Sequence, residues 1–181
     1  MVIGITGLPG AGKGTAAAYL VEKYGAVTKR FSQPLWDILA RLHQQQTREN
    51  MQKLAQSMRA IFGDDILAET LLQDLAQETT KPIVMEGFRY QDEYAMLKRR
   101  PDFVFVGIET KFDARLARIQ QRSEKDDDRT MTAEKFKLQH EYKTEQFIPE
   151  LIAKADHRID NNNTVEVLYS QLDALMTKLK V

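Results

Sequence analysis

Nine residues near the start of the chain, Gly7-Leu8-Pro9-Gly10-Ala11-Gly12-Lys13-Gly14-Thr15, constrain the fold more than any other stretch. An apolar run precedes them, Val2-Ile3-Gly4-Ile5-Thr6, and a helix-like segment from Ala16 to Tyr24 follows. Strand, glycine-rich loop and helix, in that order, form the context that a phosphate-binding loop requires. The glycines let the backbone curl so that successive N–H groups face one concavity, an anion nest. The helix that follows adds its positive N-terminal end. Lys13 supplies a mobile charge for β- and γ-phosphates. On this reading Gly7, Gly10, Ala11, Gly12, Lys13, Gly14 and Thr15 bind the phosphates of a nucleotide, and Lys13 also serves the chemistry.

The loop departs from the common motif at Gly14, where a Ser or Thr hydroxyl would ligate magnesium. Thr15 comes one position later. The form Gly-x-Pro-Gly-x-Gly-Lys-Gly-Thr resembles the loop of adenylate kinase and related nucleoside monophosphate kinases. That resemblance implies ATP as ligand, with a magnesium held largely through water and an acidic residue elsewhere.

The chain has 181 residues, enough for one domain with a substantial core. Formal net charge is zero, so no global field favours nucleic acid or an anionic membrane. A local basic cleft stays open. There is no cysteine, which removes disulfides and thiolate zinc sites. His43, His140 and His157 share no ligand-like spacing. No signal peptide and no apolar run of about 18 residues is present, so the expectation is a soluble cytoplasmic protein.

Periodicity orders the rest. Residues 2–6 read as a buried parallel strand, and Gly25 is placed to end the first helix. Residues 26–31 form a short second strand. Pro34 fits the first turn of a helix carrying Leu35, Trp36, Ile38, Leu39 and Leu42. Thr47 is an N-cap for a helix with an apolar stripe of Met51, Leu54, Ala55, Met58, Ile61 and Phe62. Arg48, Gln52 and Arg59 share its other face, either solvated or a cationic wall over a phosphate. Asp64 or Asp65 starts the next helix. Strands follow at 82–85 and 103–108, with a short helix from Asp92 to Arg100 between them. A helix over 133–147 should partly bury Phe136, Tyr142 or Leu138, and Phe147. The last helix follows Thr164. Alternating strands and helices predict an α/β fold, a five-stranded parallel sheet with helices on both faces in three layers.

The third strand ends in Glu86-Gly87-Phe88-Arg89. Ligands bind outside the carboxyl ends of such strands. Adenylate kinases carry Asp-Gly-Phe-Pro-Arg in this place, and dephospho-CoA-kinase-like relatives carry Asp-Gly-Ile/Val-Arg. By that resemblance Glu86, with Thr15, organises Mg2+, and Arg89 grips the acceptor phosphate.

Arg115, Arg118 and Arg122 stand at i, i+3 and i+7 and share a helical face, with Leu116 and Ile119 on the other side. Phosphoryl transfer needs cations around the equatorial oxygens. The family counterpart is a lid, here a short one over about 115–135. Arg118 and Arg122 match its entering arginines, and Arg129 is the candidate on the returning side. Residues 155–162 resemble the fifth-strand segment of this kinase group, and by that resemblance the loop Asn161 to Thr164 would flank the adenine, with Asn161 and Asn162 as nucleotide-binding residues.

The acceptor half covers about 32–80 within a single domain, 1–181. A hydroxyl acceptor needs a base, whereas a phosphate acceptor is already an anion and needs cations. Dephospho-CoA kinases show Asp-x-Asp after the second strand; here Arg30-Phe31-Ser32 stands there. Arg30, Ser32, Arg48, Arg59 and Arg89 therefore form the expected acceptor site. Where adenylate kinases have Thr-Gly-Asp-x-x-Arg, this chain puts Asp37 in the arginine's position, so AMP is not the implied acceptor. The expected partner is a small-molecule nucleotide, and the expected activity is phosphoryl transfer from ATP to a ribo- or deoxyribonucleoside monophosphate. The alternatives are a kinase for dephospho-CoA or another hydroxyl, and an ATP-hydrolysing switch or assembly factor.

Overall fold

The computed structural model describes residues 1–63, 65–88, 90–121, 131–140 and 143–181, and of Arg48, Gln139, His140, Lys143 and Thr144 the backbone only. The elements in chain order are β1 (Val2–Thr6), α1 (Lys13–Tyr24), β2 (Val27–Arg30), α2 (Gln33–Arg41), α3 (Arg48–Phe62), α4 (Ile66–Gln77), β3 (Ile83–Glu86), α5 (Gln91–Lys98), β4 (Phe103–Glu109), α6 (Phe112–Gln121), α7 (Ala133–His140), α8 (Lys143–Gln146), α9 (Ile148–Ala153), β5 (His157–Asp160) and α10 (Val165–Lys178). The strands form one parallel sheet in the order β2-β3-β1-β4-β5. β1, which feeds the glycine-rich loop, lies at its centre.

The sheet is a barrier between two cores because strand side chains alternate faces. Ile3 and Ile5 enter the core closed by Ala16, Ala17 and Leu20 of α1 and by Leu168, Leu172 and Met176 of α10. Val2, Ile83, Met85, Phe103 and Phe105 enter the other, closed by Leu71 and Leu75 of α4, Leu97 of α5 and Leu151 of α9. Both faces of β1, β3 and β4 are covered, so these strands are apolar runs without alternation, whereas the edge strands β2 and β5 carry exposed polar residues. Each fully buried Leu or Ile contributes roughly 1.5–3 kcal/mol.

Local signals set the helix ends. Gly25 sits at φ 64°, and its N–H reaches back to the carbonyl of Val21 (3.1 Å), closing α1. The Thr47 hydroxyl accepts the Asn50 N–H at 3.1 Å, opening α3.

α2, α3 and α4 stand together as a helical excursion between β2 and β3. Leu35, Ala55 and Leu67 make their shared core, with Met51, Leu54 and Ile66 packed on it. The α3 stripe outruns its partners: Ile61 is 71% and Phe62 61% exposed. In the expected 133–147 helix, Phe136 is fully buried and Leu138 is exposed; Tyr142 lies outside the described residues. No helix among the described residues is long and apolar enough to cross a membrane.

Candidate active site

The loop between β1 and α1 is held from three sides. Lys13 folds back over it, its Nζ donating to the carbonyls of Gly7 (2.6 Å) and Leu8 (3.2 Å). The Asn161 amide, buried at the end of β5, donates to the Ala11 carbonyl at 2.8 Å. The Thr110 hydroxyl lies 3.2 Å from the Ala11 carbonyl and 3.3 Å from that of Asn161. Arg115 donates from Nη1 to the Pro9 carbonyl (3.2 Å) and from Nε to the Thr110 carbonyl (3.1 Å). Arg115 draws the Pro9 carbonyl toward α6, and Asn161 and Thr110 draw that of Ala11 toward the ends of β5 and β4. In a trans peptide the next N–H points the opposite way. The first N–H groups of α1 have no intrahelical carbonyl to bond. The loop is thus a concavity of amides with an ammonium folded across it, suited to a polyphosphate.

Two glycines are dictated by contact as well as conformation. Gly10 sits at φ 79°, and a Cβ there would stand 2.6 Å from the Arg115 carbonyl. Gly12 sits at φ 100°, and its Cβ would stand 2.3 Å from Asn161 Nδ2. Gly14 is different: a Cβ there meets nothing within 4 Å.

Beside the loop lies a cleft of about 230 Å³ lined by Gly12, Thr15, Arg118, Asn161, Asn163, Val165 and Leu168. Arg118 Nη2 donates to the Asn161 carbonyl at 2.9 Å, with the Asn163 carbonyl at 3.4 Å. The arginine therefore spans from α6 to the β5–α10 loop. One wall is cationic and planar, the other aliphatic, a combination that suits a flat polar ring.

The structure brings Gly12, Thr15, Arg118 and Asn161 together at one cleft, with Lys13 beside it at the start of α1. Asn162 is expected beside them but turns away. Its Oδ1 accepts the Lys111 N–H at 2.8 Å, and its amide pairs with Asp160. Asn163 takes its place on the cleft. Glu86 ends β3 in register with Ile5, whose side chain enters the α1 core, so Glu86 stands on the α1 side of the sheet. Arg30 is in register with Glu86 and exposed.

Ser32 caps α2 through its carbonyl, which accepts the N–H groups of Leu35 and Trp36, both at 3.1 Å. Arg59 is exposed on the last turn of α3 and does not line the cleft. Arg89, Arg122 and Arg129 lie outside the described residues.

Arg115 requires a correction. The shared-face reading grouped it with Arg118, away from Leu116 and Ile119. It is instead 4% exposed, beside the cluster of Ile119, Met131 and Phe136. The sequence held the signal: Phe112, Leu116 and Ile119 define an apolar stripe, and position 115 falls inside it. Burial pushes the guanidinium pKa down from its ordinary value, and the Glu145 charge opposes that shift. Asn163 lies within the 161–164 loop expected at the adenine, whereas Thr110, Val165 and Leu168 also belong to the site with no motif to mark them, since single polar or aliphatic residues carry none.

A family model described as an AAA domain matches residues 3–146. The chain belongs to the AAA domain family. UPF0200 proteins are similar over nearly the whole length. The one from Sulfurisphaera tokodaii is 26% identical over 180 residues, covering 98% of this chain and 97% of its own. The one from Methanoculleus marisnigri is 25% identical over 179 residues, covering 98% and 96%. Among solved structures, shikimate kinase from Bacteroides thetaiotaomicron superposes with a TM-score of 0.63 at 16% identity, covering 100% of this chain and 99% of its own. Shikimate kinase from Acinetobacter baumannii gives 0.56 at 16% identity, covering 99% and 94%. The fold of this AAA domain protein is therefore that of the P-loop kinases.

Proposed function

We propose that this chain is an ATP-dependent phosphotransferase that moves the γ-phosphoryl group to the phosphate of a ribo- or deoxyribonucleoside monophosphate. The observation that carries the donor half is the Lys13 ammonium folded over a loop whose Pro9 and Ala11 carbonyls are held by Arg115 and Asn161, next to the Arg118–Asn161 cleft. Triphosphate oxygens take the place of the Gly7 and Leu8 carbonyls at Lys13, and the base lies in the cleft.

The acceptor half rests on its cations and on where Asp37, one of three candidate bases with Asp92 and Glu86, goes. A hydroxyl acceptor needs a base at the transferred group. Asp37 accepts the Gln33 amide at 2.8 Å and lines a different cleft, with Lys29, Gln33, Asp74, Gln77 and Glu78. Arg30, Ser32, Arg48, Arg59 and Arg89 provide the cations and hydroxyl that an anionic acceptor needs.

Among the described residues no group of three or more His, Asp or Glu can hold a metal unaided. A magnesium ion fits here if the phosphates carry it, with the Thr15 hydroxyl and the Glu86 carboxylate on its water shell. Held there, it would supply positive charge against the β- and γ-phosphates. An acceptor phosphate oxygen then attacks the γ-phosphorus. The bond from that phosphorus to the β–γ bridging oxygen breaks, and ADP leaves as the diphosphate product forms. Lys13, Arg89 and Arg122 stabilise the charge on the moving group, while Arg118, expected with them from its place on α6, flanks the base.

The test is ADP release from MgATP with each ribo- and deoxyribonucleoside monophosphate, with dephospho-CoA and with no acceptor. Stimulation by one or two monophosphates, with the matching diphosphate formed, supports the reading. Stimulation by dephospho-CoA alone overturns the phosphate-acceptor half. Slow hydrolysis indifferent to every acceptor overturns phosphotransfer and leaves an ATP-hydrolysing switch.

A further inference from the structure

A buried guanidinium costs several kcal/mol to desolvate, a cost that its hydrogen bonds and opposite charges have to offset. Arg115 is such a group, and three of its surroundings belong to different parts of the chain. Pro9 is in the glycine-rich loop, Thr110 follows β4, and Phe136 is on α7. The guanidinium carbon lies 5.7 Å from the centre of the Phe112 ring and 5.2 Å from that of Phe136. Glu145 of α8 acts on it through charge and is itself buried.

The main chain of the same residue makes a second contact. The Arg115 carbonyl sits where only a glycine at position 10 leaves room. Helix α6 thus packs its backbone on Gly10 while its side chain reaches the carbonyl one residue earlier. The Pro9 C=O and the Gly10 N–H share one peptide plane and point in opposite directions. Fixing the carbonyl toward α6 sends the amide hydrogen the other way. One turn further along α6, Arg118 lines the cleft.

We propose that Arg115 is the positioning residue of the phosphate loop, fixing the Pro9–Gly10 peptide and tying its orientation to α7 and α8 through Phe136 and Glu145. The functional consequence rests on the proposal that this loop binds a nucleotide. The order of the loop itself is measurable without nucleotide.

The experiment compares Arg115→Met, the pair Arg115→Met with Glu145→Gln, and Arg115→Lys against the unaltered chain. The pair avoids leaving a buried carboxylate without its opposite charge. Amide exchange is followed by mass spectrometry on peptides covering residues 7–15 and α10, and MgATP affinity by calorimetry. Expected are exchange about tenfold faster in the loop and unchanged in α10, with MgATP binding weakened about tenfold, the equivalent of one charge-assisted hydrogen bond. Arg115→Lys should recover part of both. Loop exchange unchanged in the double variant overturns the proposal. So does equal acceleration in the loop and in α10, which marks a side chain that merely stabilises the whole fold. If the unaltered chain does not bind MgATP, the phosphotransfer reading falls, while loop exchange still decides the role of Arg115.

Discussion

The side-chain amide of Asn161 donates to the carbonyl of Ala11 at 2.8 Å, across 150 positions of sequence. This bond ties the end of β5 to the middle of the phosphate loop. It acts on the Ala11–Gly12 peptide as Arg115 acts on Pro9–Gly10: the carbonyl is drawn toward the donor and the following amide turned the other way. The Asn161 main chain serves the same cleft, its carbonyl accepting from Arg118. One asparagine thereby orients the loop and the arginine beside it.

Asn161→Ala should therefore cost both stability and ligand affinity. The asparagine is 4% exposed, and its loss leaves the Ala11 carbonyl to the more distant Thr110 hydroxyl, 3.2 Å away. Chemical denaturation should show a loss of about 1–3 kcal/mol. MgATP affinity, measured by calorimetry at a temperature where the variant is folded, should also fall. Unchanged affinity would separate the loop from this contact.

Two glycines of the loop should respond in opposite ways. Gly14→Ser puts its Cβ in open space and should shift stability by no more than about 0.5 kcal/mol. It places a hydroxyl at the position where the common loop ligates magnesium, so the magnesium concentration for half-maximal turnover should fall. Gly10→Ala forces a Cβ to 2.6 Å from the Arg115 carbonyl at φ 79°, and should destabilise by about 1–3 kcal/mol. Melting curves of the two variants, with a magnesium titration of the first, check both statements.

The middle of the sheet was legible because β1, β3 and β4 are buried on both faces and read as apolar runs, and the loop because glycines at fixed spacing have one use after a strand; the edge strands β2 and β5 are partly exposed and carry no such run. Arg118 was legible from its place just past a strand end. Arg115 was not, because a helical wheel sorts residues by charge, and this charge is buried among Phe112, Phe136 and loop carbonyls that only the tertiary fold supplies. Ile61 and Phe62 mark the opposite error. Periodicity tells which face of α3 is apolar, but not how far along it Leu35 and Leu67 extend. Asn162 and Asn163 differ by one position in a loop, where nothing periodic decides which side chain turns toward the cleft.

A surface cluster on α1 and α10 sets a pH response. Asp173 accepts from Tyr19 (2.8 Å), Tyr24 (2.7 Å) and Lys23 (2.8 Å), and Tyr19 stacks on Tyr169 with centroids 3.9 Å apart. The Lys23 bond first, then that from Tyr24, lowers the carboxyl pKa to about 2 from its ordinary 3.8. A carboxylate depressed in the folded state stabilises above its unfolded pKa, and that contribution is lost as pH falls through the folded value. Asp173→Asn should thus be less stable than the unaltered chain at pH 5 to 7. The gap should close between about pH 4 and pH 2, as read by denaturation at each pH. A gap that stays constant over that window would mean the carboxylate charge is not what the cluster uses.

Lys13 and Asp37 together separate the donor from the acceptor half of the proposed reaction. Lys13→Ala removes the ammonium that spans the loop and leaves the two hydrophobic cores untouched, since Lys13 belongs to neither. Turnover should fall by roughly 10²–10³-fold, the usual loss for one preorganised charge at a developing anion, with the melting temperature nearly unchanged. Asp37→Asn keeps the shape of α2 and its contact with Gln33 while abolishing the carboxylate. With a phosphate acceptor, turnover should stay within about twofold, because the attacking oxygen carries no proton to remove. If Asp37→Asn instead lowers kcat by orders of magnitude at unchanged KM for ATP, the acceptor is a hydroxyl and Asp37 is its base. The cleft of Lys29, Gln33, Asp74, Gln77 and Glu78 around Asp37 would then be the place to look for that acceptor.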